Sequence, residues 1–170
     1  MMMARTHLKV GFLTAIVTNQ LLFQGQVIHE PNIAVFYSAT LIGSVLPDID
    51  HPKSFIGRRI PFLPTILDKT VGHRTLAHSL VFLLSLIIVW FLSNNLFLRL
   101  SMFGLLLGST SHILLDMITM KGVALLYPFS KKKYGLGIMK TNSKLETIFG
   151  LVLFVLIVLM LYKQKIGSLS

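Results

Sequence analysis

The chain lacks cysteine and has few charged residues. Without thiols, disulfide bonds and thiolate metal sites are excluded, so any transition metal must be held by nitrogen and oxygen. Charged residues make up 13% of the 170 positions, whereas a soluble domain carries about a quarter. So few charges cannot cover a water-facing surface, and 54% of the residues are hydrophobic. The composition therefore indicates an integral membrane protein.

Apolar runs divide the chain into five predicted spans. They predict an all-α membrane bundle of about five transmembrane helices, formed by residues 1–170 as one domain. The spans lie at about 7–24, 32–47, 75–95, 97–119 and 147–162. Several are shorter than the roughly 20 residues a straight span prefers, so flanking turns and long basic side chains must extend them. The basic N-terminus resembles a signal peptide but has no small-residue cleavage site, so we expect a retained helix.

The basic residues fall in alternate connections between these spans. With the N-terminus in the cytoplasm, 13 of the 16 Lys and Arg residues lie in the cytoplasmic segments 1–9, 48–75 and 120–146. The positive-inside rule therefore predicts a cytoplasmic N-terminus. Contact of these segments with anionic lipid accounts for the net charge of +10 without nucleic acid. The lysines at 131–133, beside "YPF", are interpreted as a membrane-surface anchor.

An ionisable pair stands at the end of the fourth span. His112 and Asp116 are four residues apart and share a helix face with Gly108 and Gly104. Small residues allow close helix packing, so both side chains should point into the bundle. Ionisable groups inside a membrane span suggest function. A neutral histidine bonded to a buried acid is the structural alternative.

Three other span ends carry similar residues, and the first of them is the start of the first span, with His7. "LPDIDHP" closes the second span, with Asp48 and Asp50 expected on one side of an extended segment. "GHRTLAH" opens the third, with Gly72 or Thr75 starting the helix and His78 one turn inside. Each feature alone has a structural explanation, but the predicted topology puts all four ends on the cytoplasmic side. His29 is excluded as a loop residue. The candidate metal ligands are His7, Asp48, Asp50, His51, His73, His78, His112 and Asp116.

Eight donors exceed the four that one tetrahedral zinc ion needs. The surplus indicates two or three divalent ions, or additional residues that orient the ligands. Imidazole and carboxylate suit zinc, which is expected first, and also manganese or iron. Such ions activate water and stabilise the attacking and leaving oxygens of a phosphoester. Arg74 is placed to bind a phosphate oxygen.

At these residues the chain resembles the LexA-binding, inner-membrane-associated hydrolases, the YdjM-like membrane-bound metal-dependent hydrolases of bacteria. The resemblance comprises an early histidine, "LPDIDHPKS", "GHRTLAHSL", "GSTSHILLDMITMKGVALLYP" and "NSKLE". It implies a multi-pass protein of the bacterial cytoplasmic (inner) membrane with phospholipase-like hydrolase activity. The "HxxxD" pair is also similar to the "HxxxE" of zinc-dependent phospholipase C, a helical enzyme with three zinc ions, but this is an analogy only.

Glu146 has two interpretations. "SKLE" fits a capping box at the start of the last helix, and this role is favoured. Since the resemblance includes this glutamate, a role in orienting the metal ligands or as a catalytic acid or base remains the alternative.

These features predict a membrane-bound metal-dependent hydrolase. Its partners would be membrane lipid and a lipid or lipid-linked phosphoester, cleaved at the cytoplasmic face by a metal-activated water. The alternative is a non-enzymatic metal-binding or transport protein. A transporter would continue its polar residues across the membrane, but the outer halves of the spans are apolar apart from Thr14, Thr18, Asn19, Gln20 and small residues. A structural or regulatory protein would not need the clustered His and Asp. The sequence does not indicate an oligomeric state.

Overall fold

The structure, a computed structural model, describes residues 4–22, 30–52, 54, 57–59 and 75–167. Over these ranges the chain forms five α-helices and two short 3-10 turns, and it has no strand beyond two isolated bridges. The helices are α1 (Ala4–Leu22), α2 (Glu30–Gly43), α3 (Leu80–Leu92), α4 (Leu96–Ile118) and α5 (Lys144–Gly167). The turns span Leu46–Asp50 and Leu76–His78. The predicted all-α class is confirmed for the described residues.

Two of the described helices are long and apolar enough to cross a membrane. They are Leu96–Ile118 and Lys144–Gln164. Asn32–Gly43 and Leu80–Leu92 are apolar but shorter. A helix of 13 residues is only about 20 Å long, less than the roughly 30 Å of a hydrocarbon core. The structure thus confirms five helices among the described residues and supports two of them as spans.

Helix α4 packs most extensively against α2, and two glycines make this close approach possible. A Cβ atom on Gly108 would collide with the carbonyl oxygen of Thr40, and one on Gly104 would lie 2.8 Å from Cβ of Ala39. The small-residue face predicted for this helix is therefore its packing face. His112 follows on the same face and is buried inside the bundle.

Helix α5 closes the bundle on the side of α1. Lys9 in α1 extends its ammonium group to the carbonyl oxygen of Gly150, at 2.8 Å. The opposite face of α5 exposes large apolar side chains, among them Val152, Val155 and Leu159. Such a face suits contact with lipid.

Two predictions of local structure were wrong. Asp48 and Asp50 lie in a 3-10 turn rather than an extended segment, because Pro47 fixes a φ angle compatible with the first turn of a helix. Helix α3 begins after Ser79, whose hydroxyl accepts a hydrogen bond from the backbone N–H of Phe82. Thr75 is therefore not its cap, Gly72 lies outside the described residues, and His78 precedes the helix.

The connection from α4 to α5 folds back over the end of α4. Isolated bridges join Thr119 to Met139 and Val123 to Tyr134. The backbone N–H of Leu136 donates to the carbonyl oxygen of Met117 at 2.7 Å. This connection, residues 119–143, therefore lies at the same end of the bundle as Asp116.

Candidate metal centre

Four buried side chains meet where the two 3-10 turns approach the end of α4. They are Asp48, His78, His112 and Asp116, and one donor atom of each lies within 4.8 Å of the others. Asp48 comes from the first turn, His78 from the second, and α4 supplies the other two. The i, i+4 spacing on α4 places its two side chains on one face, as predicted.

A hydrogen bond fixes the orientation of the His112 ring. Its Nδ1 lies 2.7 Å from the carbonyl oxygen of Ser44, just after α2. A carbonyl oxygen can only accept, so Nδ1 carries the proton and Nε2 of the neutral ring carries a lone pair. Carbonyl groups at the end of a helix lack intrahelical partners, which makes that of Ser44 available. The lone pair of His112 is thereby directed towards the cluster.

The ring of His78 is held in the same way by Asp50. Nδ1 of His78 lies 3.2 Å from Oδ2 of Asp50, and an ionised carboxylate can only accept. Nε2 of His78 then faces Nε2 of His112 at 3.2 Å. Two lone pairs cannot face each other at this distance without a positive charge between them. Burial lowers the pKa of His78, but Asp116 and Asp50 outweigh this effect and raise it to about 9, so a proton or a metal ion can supply the charge.

The spacing of the four donors fits a metal ion. Two nitrogens bound to one tetrahedral zinc ion at about 2.0–2.1 Å would lie roughly 3.4 Å apart. Nε2 of His78 is 3.6 Å from Oδ2 of Asp116, and Nε2 of His112 is 3.6 Å from Oδ1 of Asp48. These separations are too long for good hydrogen bonds but suit ligands of one ion. A set of two imidazoles and two carboxylates is compatible with zinc, manganese or iron.

His7 borders this cluster from α1. Its ring is stacked on His112 with centroids 3.8 Å apart, and its Nε2 lies 3.6 Å from Oδ1 of Asp116. His7 is fully buried although it lies only one turn from the beginning of α1.

The other predicted ligands have different positions. Asp50 contacts the cluster through His78 rather than as one of the four central residues. His51 follows the first turn, where it is partly exposed and its backbone N–H donates to the carbonyl oxygen of Asp48. His73 and Arg74 lie outside the described residues, so their roles remain predictions.

Glu146 shows one half of the capping box predicted for "SKLE", and its carboxylate bonds the residue before the cap. The hydroxyl of Ser143 accepts from the backbone N–H of Glu146 at 3.3 Å. The buried Glu146 carboxylate accepts from the backbone N–H of Asn142 at 2.6 Å and from the hydroxyl of Thr6 at 3.2 Å. It therefore links the beginning of α5 to α1 and is not one of the four central residues.

Sequence reasoning missed two of these supporting groups. The Ser44 carbonyl could have been anticipated. A helix that reaches Pro47 must end shortly before it, and the carbonyl groups at the end of a helix lack intrahelical partners. The contact of Thr6 with Glu146 spans 140 positions, and no local pattern indicates it.

Comparison with known proteins gives the family. The chain matches the profile of the YdjM inner membrane protein family over residues 2–169. It is 35% identical over 127 residues to the inner membrane protein YdjM of Escherichia coli (strain K12), a match covering 69% of this chain and 62% of that protein. It is 36% identical over 108 residues to the "Uncharacterized protein YvsG" of Bacillus subtilis (strain 168), covering 63% of this chain and 66% of that protein. The matched region thus spans less than two thirds of the length of these relatives.

No solved structure matches the chain significantly. The family match extends over nearly the whole chain and agrees with the two apolar helices that are long enough to cross a bilayer. The chain belongs to the YdjM family of inner membrane proteins.

Proposed function

We propose that this protein is a membrane-bound metal-dependent hydrolase that cleaves a phosphoester in a lipid or lipid-linked substrate. The observation that supports it most is the pair of imidazole nitrogens of His78 and His112, which face each other at 3.2 Å. Two buried carboxylates, Asp48 and Asp116, flank this pair. Buried ionisable groups in a membrane protein are costly and usually functional.

The proposal assigns distinct tasks to these residues. Asp48, His78, His112 and Asp116 hold a divalent ion, with zinc as first choice and manganese or iron as alternatives. Asp50 and the Ser44 carbonyl orient the two imidazoles. A bound ion would supply an activated water and stabilise charge on the phosphate oxygens. We further propose two or three ions, because more His and Asp side chains surround the cluster than one ion needs.

A lipid substrate is supported by the surface near the cluster. The connection at residues 119–143 exposes Phe129, Leu136 and Ile138 close in sequence to the lysines at 131–133. Exposed apolar side chains combined with lysine suit the boundary between acyl chains and anionic headgroups. A phosphate group at this boundary would lie at the same end of the bundle as the four donors.

We also propose that all five helices cross or enter the inner membrane, with the N-terminus and the metal centre facing the cytoplasm. The asymmetry of 13 among 16 basic residues supports this orientation. It places the proposed hydrolysis in the cytoplasmic leaflet.

A metal transporter is the alternative, and the packing of α2 and α4 disfavours it. Farther from the cluster along these helices, the buried side chains include those of Phe36, Ala39 and Leu100. A transport pathway would need polar groups at that level. These three side chains are apolar, and the hydroxyl of the nearby buried Thr40 donates to the carbonyl oxygen of Phe36 in its own helix.

Metal analysis of the purified full-length protein tests the proposal. The wild type should bind at least one equivalent of divalent metal, and His112→Ala or Asp116→Ala should lose most of it because each removes a central donor. Thr110→Ala is a matched control on the same helix, since its hydroxyl donates to the carbonyl oxygen of Leu106 in that helix and Thr110 is not one of the four central residues. Hydrolysis of a panel of lipid phosphoesters should fall with the metal content. A well-folded wild type that binds no metal would refute the proposal.

The assignment of Arg74 has a separate test. If its guanidinium binds substrate phosphate through two hydrogen bonds, Arg74→Lys should keep the metal but lose most phosphoester turnover. An arginine that only anchors the chain at the lipid surface is replaceable by lysine. Unchanged turnover in Arg74→Lys would therefore leave Arg74 as an anchor. The measurement is steady-state kinetics on whichever phosphoester the wild type cleaves.

A further inference from the structure

His7 is a buried imidazole that the four-residue cluster does not explain. It is fully buried, and neither of its ring nitrogens has a hydrogen-bond partner among the described residues. Burying polar atoms without a partner is unfavourable, and native proteins rarely tolerate it. A ligand for His7 is therefore expected.

The two carboxylate oxygens of Asp116 face different histidines, one His78 and the other His7. Its Oδ2 lies 3.6 Å from Nε2 of His78, within the four-residue cluster. Its Oδ1 lies 3.6 Å from Nε2 of His7. The same nitrogen-to-oxygen separation thus occurs on both sides of one carboxylate. The separation between His7 and Asp116 therefore fits two ligands of one ion as well as the separation between His78 and Asp116 does.

We propose that Asp116 bridges two divalent metal ions, the second of which is bound by Nε2 of His7 and Oδ1 of Asp116. This inference rests on the proposed metal centre and specifies how a second ion is added to it. In two-metal hydrolytic sites the ions lie about 3.5–4 Å apart. The stacked rings of His7 and His112 are 3.8 Å apart at their centroids, so each ring can serve its own ion while in contact with the other.

A purely orienting role for His7 fits the distances less well. A histidine that orients a metal-bound carboxylate does so through a hydrogen bond, which needs a donor–acceptor distance of about 2.7–3.2 Å. The observed 3.6 Å between His7 and Asp116 is longer. It also leaves both nitrogens of His7 without partners among the described residues.

Manganese binding to the purified full-length protein tests the inference. After metal removal with a chelator, the protein is titrated with Mn²⁺ and examined by electron paramagnetic resonance. The wild type should bind two equivalents and show a spin-coupled pair, as expected for ions bridged by a carboxylate. His7→Phe keeps an aromatic ring to stack on His112 but removes both donor nitrogens. This variant should bind one equivalent with the uncoupled signal of a single ion, whereas Thr110→Ala should behave as the wild type.

The outcomes separate this inference from the proposed function. One equivalent in the wild type would overturn the second site and leave the four-residue site intact. Two equivalents in a folded His7→Phe variant would also overturn it, because the second ion would then lie elsewhere. No binding by the wild type would overturn both. Folding of the variants is checked independently by circular dichroism and size-exclusion chromatography.

Discussion

Each central histidine makes a hydrogen bond on the side facing away from the cluster. The Ser44 carbonyl accepts from His112, and the Asp50 carboxylate accepts from His78. These bonds select the tautomer whose Nε2 carries the lone pair that can bind a metal. They also fix the rings before any ion arrives, which reduces the entropy lost on binding. The Ser44 carbonyl and the Asp50 carboxylate would therefore increase metal affinity without being ligands themselves.

The bond from Asp50 to His78 predicts a graded effect on affinity. Asp50→Ala should weaken metal binding about 10–100-fold while keeping the number of bound ions, because it removes a group that orients a ligand. Asp50→Asn should weaken it less, since its amide oxygen can still accept from Nδ1 of His78. Competition titration against a chelator of known affinity measures both values. Complete loss of an ion in a folded Asp50→Ala variant would instead make Asp50 a direct ligand.

At the scale of elements, the helices were predictable and the turns were not. An apolar run such as residues 97–119 is expected to be helical in lipid, because a helix satisfies its own backbone hydrogen bonds. The structure accordingly has α4 at Leu96–Ile118. The turn at Leu46–Asp50 depends on how Pro47 begins it, and an alternating "DID" is equally compatible with an extended segment.

The difference between helices and turns also explains which site residues could be predicted. His112 and Asp116 were assigned to one face because helical spacing fixes it. Asp48 and Asp50 were assigned to the same side, although a 3-10 turn has three residues per turn and separates i from i+2. One of them consequently reaches the cluster and the other supports His78. Long-range contacts such as that of Thr6 with Glu146 depend on how the helices assemble.

Glu146 provides a prediction at the scale of a helix. Glu146→Ala should lower the unfolding free energy by about 1–3 kcal/mol, because it removes the cap contact and leaves the hydroxyl of Thr6 unpaired. The ion count should stay at the wild-type value, since Glu146 is not one of the four central residues. Thermal unfolding in detergent and metal analysis measure the two effects. Ser143→Ala, which removes only the hydroxyl of the cap, is the matched control and should lower stability less.

At the scale of the whole molecule, the acidic residues are concentrated at one end of the bundle. Four of the six acidic residues of the chain, Asp48, Asp50, Asp116 and Glu146, are buried. The surface is thus left with an excess of positive charge, which suits anionic lipid. This distribution fits the proposed function, in which buried carboxylates would bind the metal and exposed lysines would contact anionic lipid.

The metal centre also restricts the topology. His7 near the beginning of α1 and Asp116 near the end of α4 lie side by side, so these two helix ends lie at the same end of the bundle. The connection at residues 119–143 is at that end too. Helix α5 is long and apolar enough over Lys144–Gln164 to cross from there to the opposite side. The relative positions of these segments follow from the packing, and the proposal that this end faces the cytoplasm rests on the distribution of basic residues.

Reporter fusions test this topology. A reporter inserted at Lys132 should be cytoplasmic, because it lies in the most lysine-rich connection, and a reporter fused after Lys165 should be external. A reporter inserted at Asn94, between α3 and α4, should also be external, since α4 must return from there to the side of the metal centre. Paired reporters active only in the cytoplasm or only outside it serve as reciprocal controls at each position.

If Lys132 and the C-terminus lay on the same side, α5 would not cross the membrane. If Asn94 and Lys132 shared a side, α4 would not cross, and the grouping of four helix ends at one membrane face would have to be abandoned.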